Sequence, residues 1–309
     1  RYFRRSKDCP DLDLGIGDDA AVIRSGNERL AITTDTLVEG VHFEVGSDAH
    51  CLGHKALAVN LSDLAAMGAE PRWALLALTM PSVDTNWLAA FCDGFFRLAD
   101  YHKVDLIGGD TTRGALTITV QLIGTLAEDR ALCRHNAQVG DGIYVTGRIA
   151  DSALVALFAD TLKAYKQSYE QCTARLMRPT ARVAEGIILA RYATAAIDIS
   201  DGILKDLSRI LSASDVGAEI EIDDIPTIPE IKQCCPTLEL LLKALIYGED
   251  YELLFTLKDE YIAVVKQAYA ASATPFTRIG TIDETRVLKC RWQSKPVVLP
   301  ERLGYDHFT

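Results

Sequence analysis

Eight aspartates of this chain sit in short segments rich in Gly, Ser and Thr, not on helix faces paired with Lys or Arg. The segments are Gly17-Asp18-Asp19, Thr33-Thr34-Asp35-Thr36, Asn60-Leu61-Ser62-Asp63, Gly108-Gly109-Asp110-Thr111, Asp198-Ile199-Ser200-Asp201-Gly202 and Gly248-Glu249-Asp250. Carboxylates gathered in a low-dielectric site repel one another, so a fold that collects them needs a countercharge. Backbone-bending residues and small polar neighbours suit hard divalent cations, most simply Mg²⁺ carrying phosphates.

The apolar pattern says where these carboxylates stand. Residues 30–34 form a strand-like run ending in Thr-Thr-Asp, and 104–107 form another ending in Gly-Gly-Asp. Residues 53–67 have helical apolar spacing, with Gly68 as a C-terminal stop. Strands are expected at 72–80 and 115–127, and an amphipathic helix at 84–101 carrying Trp87, Phe91 and Phe95 on one face. The turn-rich Gln138-Val139-Gly140-Asp141-Gly142 marks a boundary, giving domains 1–137 and 138–309. Beyond it, strands are expected at 143–146, 195–199, 218–222 and 251–257. Helices are expected at 151–161, 180–192, 204–212, 238–246 and 259–271. The alternation predicts an α/β (α+β) fold in two lobes.

At 309 residues the chain has room for two ordinary domains. Its net charge of −11 lacks the basic footprint of nucleic-acid binding. No apolar stretch is long enough to span a bilayer, and no apolar region follows the basic residues 1–5, so neither a membrane span nor a signal peptide is expected. The eight cysteines contain no Cys-x-x-Cys pair, which favours reduced thiols and a cytoplasmic location over disulfides or zinc.

Gly15-Ile16-Gly17-Asp18-Asp19-Ala20 satisfies the dinucleotide pattern G-x-G-x-x-A. Residues 7–14 are too polar for the buried strand that pattern requires, and two aspartates would repel a pyrophosphate. No Walker A or protein-kinase signature occurs. Each cluster alone reads more simply as a turn or a cap. Ser200-Asp201-Gly202 could cap a helix, Gly140-Asp141-Gly142 is read as a turn, and His42 alone is an ordinary histidine. Asp63, inside a helix between Leu61 and Leu64, has no capping role and needs a partner if buried.

Asn60-Leu61-Ser62-Asp63-Leu64-Ala65-Ala66-Met67-Gly68-Ala69 and Gly108-Gly109-Asp110-Thr111-Thr112 resemble the thiamine-monophosphate kinase family of the PurM-like (aminoimidazole ribonucleotide synthetase-like) superfamily. Similar segments run from Gly15 to the terminal Gly304-Tyr305-Asp306-His307-Phe308. The resemblance implies an N-terminal half whose strands pair across a homodimer into a β-barrel, and a C-terminal α+β half. It implies ATP-dependent phosphorylation of thiamine monophosphate to thiamine diphosphate, with several Mg²⁺ ions as cofactors. Metal ligands then fall on Asp19, Thr33, Thr34, Asp35, Asp63, Asp110, Asp198 and Asp201. ATP contacts fall on Gly109, Asp110, Arg134, Ser200 and His102, where some relatives place a tyrosine and where Tyr101 is adjacent. Substrate contacts fall on His42, Glu249 and Tyr305. Asp18 and Asp250 are expected to shape their loops.

No covalent nucleophile is expected. The acceptor phosphate is itself the nucleophile and, with a second pKa of ~6, is largely ionised at neutral pH. Two other readings are a related ATP-dependent synthetase of the aminoimidazole ribonucleotide or selenophosphate type, and a non-catalytic Mg–nucleotide-binding protein. Cys9 lacks the glycine-rich context of a selenophosphate synthetase.

Overall fold

A computed structural model describes residues 9–127, 131–272 and 274–307. Residues 1–5 and Phe308, singled out above, lie outside them. The chain builds two sheets, one from each half. The first half contains β1 (Leu12–Leu14), β2 (Ala21–Ser25), β3 (Glu28–Val38), α1 (Ala49–Ala66), β4 (Glu70–Met80), α2 (Thr85–His102), β5 (Asp105–Arg113) and β6 (Thr117–Thr125). Its strand order is β1-β2-β3-β6-β4-β5, antiparallel except for β4 and β5. α2 crosses between those two parallel strands, as a parallel pair requires.

β6 alternates between buried and half-buried residues along its whole length. Its buried Ile118, Val120 and Leu122 join the core with Leu57, Leu61 and Leu64 of α1. On the other face Ile32, Ile123 and Trp73 are cross-strand neighbours, only half buried. Among the described residues this sheet is open within one chain.

α1 and α2 pack closely. A Cβ on Gly53 would lie 2.0 Å from the Phe91 carbonyl oxygen, and one on Gly94 would lie 1.9 Å from that of His50. Glycine at both positions lets the two backbones meet. Asp84 caps α2 by accepting from the Asn86 and Trp87 N–H groups, a favourable cap. Trp87, Phe91 and Phe95 stack along the expected face.

The second half contains β7 (Gly142–Thr146), α3 (Asp151–Leu162), α4 (Lys166–Met177), α5 (Val183–Leu189), β8 (Ala195–Asp198), α6 (Ile203–Ser214), β9 (Gly217–Glu221), α7 (Ile231–Cys234), α8 (Leu238–Leu245), β10 (Leu253–Leu257), α9 (Ile262–Ala268), β11 (Phe276–Asp283), β12 (Leu288–Trp292) and β13 (Lys295–Val297). The order is β13-β12-β9-β11-β7-β10-β8. β7, β8 and β10 are buried throughout, which explains their unbroken apolar runs.

Several expectations needed correction; among them, the strand expected at 251–257 begins only at Leu253 and the helix expected at 259–271 is α-helical only over Ile262–Ala268. β5 does not stop before Gly108 but runs on to Arg113, because β4 continues beside it. The helix expected at 180–192 covers only Val183–Leu189. α4, α7 and the strands β1, β2 and β11 to β13 were not expected. Within α4 only Cys172 is buried, so its apolar signal is weak. No helix among the described residues is long and apolar enough to cross a membrane, and no disulfide joins the described cysteines.

Candidate active site

α1 builds the site from a helix that is buried on nearly every side. Buried polar groups need partners, and those of the 60–63 stretch find theirs on different elements. Asn60 Oδ1 accepts the Asp35 N–H from β3 at 3.1 Å, and its Nδ2 donates to Ala56 O at 3.1 Å. Ser62 Oγ donates to Asp198 Oδ2 at the end of β8, at 2.8 Å. Asp63 accepts from the Thr33 hydroxyl of β3. One helical turn therefore ties both halves of the chain to one cluster.

Asp19, Asp63 and Asp198 each bring a carboxylate oxygen within 4.8 Å of the others. Burial raises the Asp63 carboxyl well above its ordinary range, and Asp35, Asp198 and Asp19 add to this by repulsion. Asp198 is pushed in the same direction by burial and then by Asp19 and Asp206. Asp35 is raised to about 6 by burial and by Asp19 and Asp201. Proteins neutralise such carboxylates by protonation or by bound cations. Arg134 donates to both oxygens of Asp19, and Arg209 pairs with Asp201 and Asp206. The ligand atoms around the cluster are carboxylate and hydroxyl oxygens, a set that fits Mg²⁺ better than a soft metal.

A cavity of about 560 Å³ opens beside the cluster. Asp35, Asp63, Asp198, Ser200 and Asp201 line one side, and His42, Tyr247, Glu249, Tyr251, Tyr305 and His307 line another. Burial, with His307 close by, lowers the His42 pKa. Its Nδ1 accepts the Val38 N–H at 3.0 Å, so the neutral ring carries its proton on Nε2. Tyr305 is held by its own N–H, which donates to Asp201 O at 2.9 Å, and its ring meets His307 edge-on. Glu249 and Tyr251 have φ of +59° and +50°, left-handed values uncommon for such residues and concentrated at functional sites.

The structure thus brings Asp19, Thr33, Asp35, Asp63, Asp198, Ser200, Asp201 and Arg134 together, with His42, Glu249 and Tyr305 around the adjoining cavity. It does not bring in the rest within one chain. Thr34 is exposed, and strand alternation turns its side chain away from Thr33 and Asp35. Asp110 is level with Ala77, Thr119 and Thr36 on successive strands. Three strand spacings of ~4.8 Å place it about 14 Å from Thr36 along the sheet. A Thr79–Thr112 hydroxyl contact and a Thr36–Thr119 contact put Asp110 on the face opposite Asp35. Gly109 lies against β4, where a Cβ would fall 1.8 Å from Leu76 O. His102 is half buried at the end of α2, with its pKa lowered by burial, while the adjacent Tyr101 ring is 80% exposed. Asp18 and Asp250 do shape loops. Asp18 accepts the Asp19 and Arg134 N–H groups, and Asp250 accepts the Ala150 N–H.

Lys55, Tyr247, Tyr251 and His307 escaped the sequence reading. A helical lysine reads as solvated, and the aromatic residues form a group only once the chain is folded. Tyr247 and Tyr251 flank Gly248-Glu249-Asp250, and that adjacency was the available signal.

Family models match both halves: AIR synthase related protein, N-terminal domain, over residues 17–126, and its C-terminal domain over 138–293. Thiamine-monophosphate kinase of Escherichia coli strain K12 is 44% identical over 314 residues, covering 100% of this chain and 96% of that protein. The crystal structure of thiamine-monophosphate kinase from Stenotrophomonas maltophilia K279a superposes with a TM-score of 0.78 at 40% identity, covering 93% of each chain. A structure described as AaThiL complexed with AMPPCP and TMP gives a TM-score of 0.81 at 32% identity, covering 95% of this chain and 92% of that one. With its fold, its carboxylate cluster and its full-length likeness in agreement, the chain belongs to the thiamine-monophosphate kinase family.

Proposed function

We propose that the protein transfers the γ-phosphoryl group of ATP to thiamine monophosphate, yielding thiamine diphosphate and ADP, the last step of thiamine diphosphate biosynthesis. The observation that carries this is the largely buried Asp19, Asp63 and Asp198 cluster opening onto a cavity lined by polar and aromatic groups. A phosphate oxygen of thiamine monophosphate bonds to the γ-phosphorus. The bond from that phosphorus to the β,γ-bridging oxygen breaks, and ADP leaves with the electron pair.

The obstacle is charge. Each like-charge pair in close contact costs roughly 4 kcal/mol at an effective dielectric constant near 20. Asp19, Asp35, Asp63, Asp198 and Asp201 would hold Mg²⁺, with the Thr33 hydroxyl beside Asp63. Bound there, Mg²⁺ would supply neutralisation for the phosphates of both substrates. Ser200 and Arg134 face the nucleotide, and the Arg134 fork is suited to phosphate oxygens once it exchanges Asp19 for them. His42 offers Nε2–H, Glu249 a carboxylate oxygen and Tyr305 an aromatic face to the thiamine moiety. No side chain acts as a nucleophile.

Asp110, Gly109, His102 and Thr34 stand apart from this cluster in one chain. We assign Asp110, Gly109 and Thr34 to the face on which a second copy docks, so that Asp110 and Gly109 complete the nucleotide site of the partner; His102, beside His54 of α1 on the helical side of the sheet, is not on that face. The half-buried Ile32, Ile123 and Trp73 row supports a homodimer through the first sheet. Domains at 1–137 and 138–309 fit one sheet per half.

ADP release and thiamine diphosphate formation should both require thiamine monophosphate and rise in equal amounts. ADP release with no acceptor, or with aminoimidazole ribonucleotide precursors or selenide in its place, would overturn the reading.

A further inference from the structure

Lys55 is a buried ammonium on α1. The residue is 5% exposed, and its Nζ donates to Glu249 Oε1 across 2.6 Å. The bond runs from the first half of the chain to the loop before β10 in the second. A buried charge is tolerated when paired, so the contact is a fixed link between the halves.

The backbone of Glu249 is already held without Lys55. Its N–H donates to Ser200 O at 2.9 Å, and its carbonyl accepts from Ser152 Oγ at 2.6 Å. Asp250, next in sequence, accepts the Ala150 N–H at 3.0 Å, and Tyr251 N–H donates to Ile199 O at 2.8 Å. What is left to set is the direction of the Glu249 side chain, which lines the cavity and is 25% exposed. Lys55 takes Oε1. Among the described residues no protein donor takes Oε2.

We infer that Lys55 is a positioning residue for acceptor recognition: by holding Oε1 it presents Oε2 to an N–H donor on the cavity's occupant. The inference rests on the proposed function. The matching chemistry is an amino-substituted heteroaromatic ring, which the aminopyrimidine of thiamine monophosphate supplies. The phosphates of ATP belong at the aspartate cluster, so Lys55 should govern the acceptor and not the nucleotide. It also makes acceptor affinity depend on the contact between the two halves.

The test uses the full chain with Mg²⁺, ATP and thiamine monophosphate. Lys55→Met should raise the KM for thiamine monophosphate ~10-fold or more while the KM for ATP stays within ~2-fold, a selective loss of acceptor binding. Lys55→Arg should restore part of the loss. Lys55→Met combined with Glu249→Gln should be no worse than the weaker single variant, because both remove one interaction. Calorimetric titration of thiamine monophosphate should show the same order of affinities without turnover. Equal rises in both KM values, or a lower melting temperature with unchanged kinetics, would make Lys55 merely structural and overturn the inference. If Lys55→Met does not fold, Glu249→Gln decides: an unchanged KM for thiamine monophosphate overturns it. A wild-type protein that releases no ADP with thiamine monophosphate refutes the function itself, whereas normal wild-type turnover with an unaffected Lys55→Met refutes only this role.

Discussion

Among single residues, Asp63 matters most to the site. Its carboxylate lies inside a helix, bonded to Thr33 and close to Asp19 and Asp198. Asp63→Ala should lower kcat roughly 10²-fold or more while circular dichroism and the elution volume stay those of the wild type. Near-normal turnover would remove Asp63 from the site. The same cluster sets a pH dependence. Asp35 titrates near 3.8 when unfolded and at about 6 when folded, so between those values the folded state holds a proton that the unfolded chain has released. Its stabilising contribution is complete below pH 3.8 and is lost as pH rises through about 6. Asp63 and Asp198 shift in the same direction. In chelator, the melting temperature should therefore fall from pH 5 to pH 7.5, and added Mg²⁺ should raise it more at pH 7.5. Asp63→Asn should flatten both effects, and an unchanged slope in that variant would contradict the electrostatic account. Asp63 was legible in the sequence because an aspartate between buried leucines has no ordinary use. Lys55 was not, because a single helical lysine says nothing of burial until Glu249, 194 residues away, is folded beside it.

At the element scale, α1 is the piece on which both halves assemble. Its contact with α2 needs glycine at 53 and 94. Gly94→Ala should destabilise the fold by about 1–3 kcal/mol through overpacking, read in urea, with both KM values unchanged in the folded fraction. A neutral effect would mean that the helices can separate at no cost. The helices α1 and α2 were legible from the apolar spacing at 53–67 and 84–101, while the first turn of α1 was missed. β5 was misread because Gly108-Gly109-Asp110 has the composition of a turn. Its extension comes from pairing with β4, a non-local cause that local composition does not carry.

At the scale of the whole molecule, the question is which chain supplies Asp110. It sits three strands from Thr36 on the face opposite Asp35, so its proposed role requires a second copy. Asp63→Ala and Asp110→Ala proteins, each inactive alone, should regain activity when co-refolded. Random pairing leaves one intact site in each mixed dimer, or about a quarter of wild-type turnover. No recovery would place Asp110 in its own chain's site or outside any site. The two-lobed α/β plan was legible from the alternation of elements, but sheet order was not, because β3 pairs with β6 across α1, β4, α2 and β5.

In the proposed mechanism the phosphoryl group passes straight from ATP to the acceptor phosphate with no protein nucleophile. The stereochemical course at a chiral, isotopically labelled γ-phosphorus tests this most directly. A single in-line displacement predicts inversion in the thiamine diphosphate formed. Net retention would require two displacements and a phosphorylated side chain, and would rule out direct transfer.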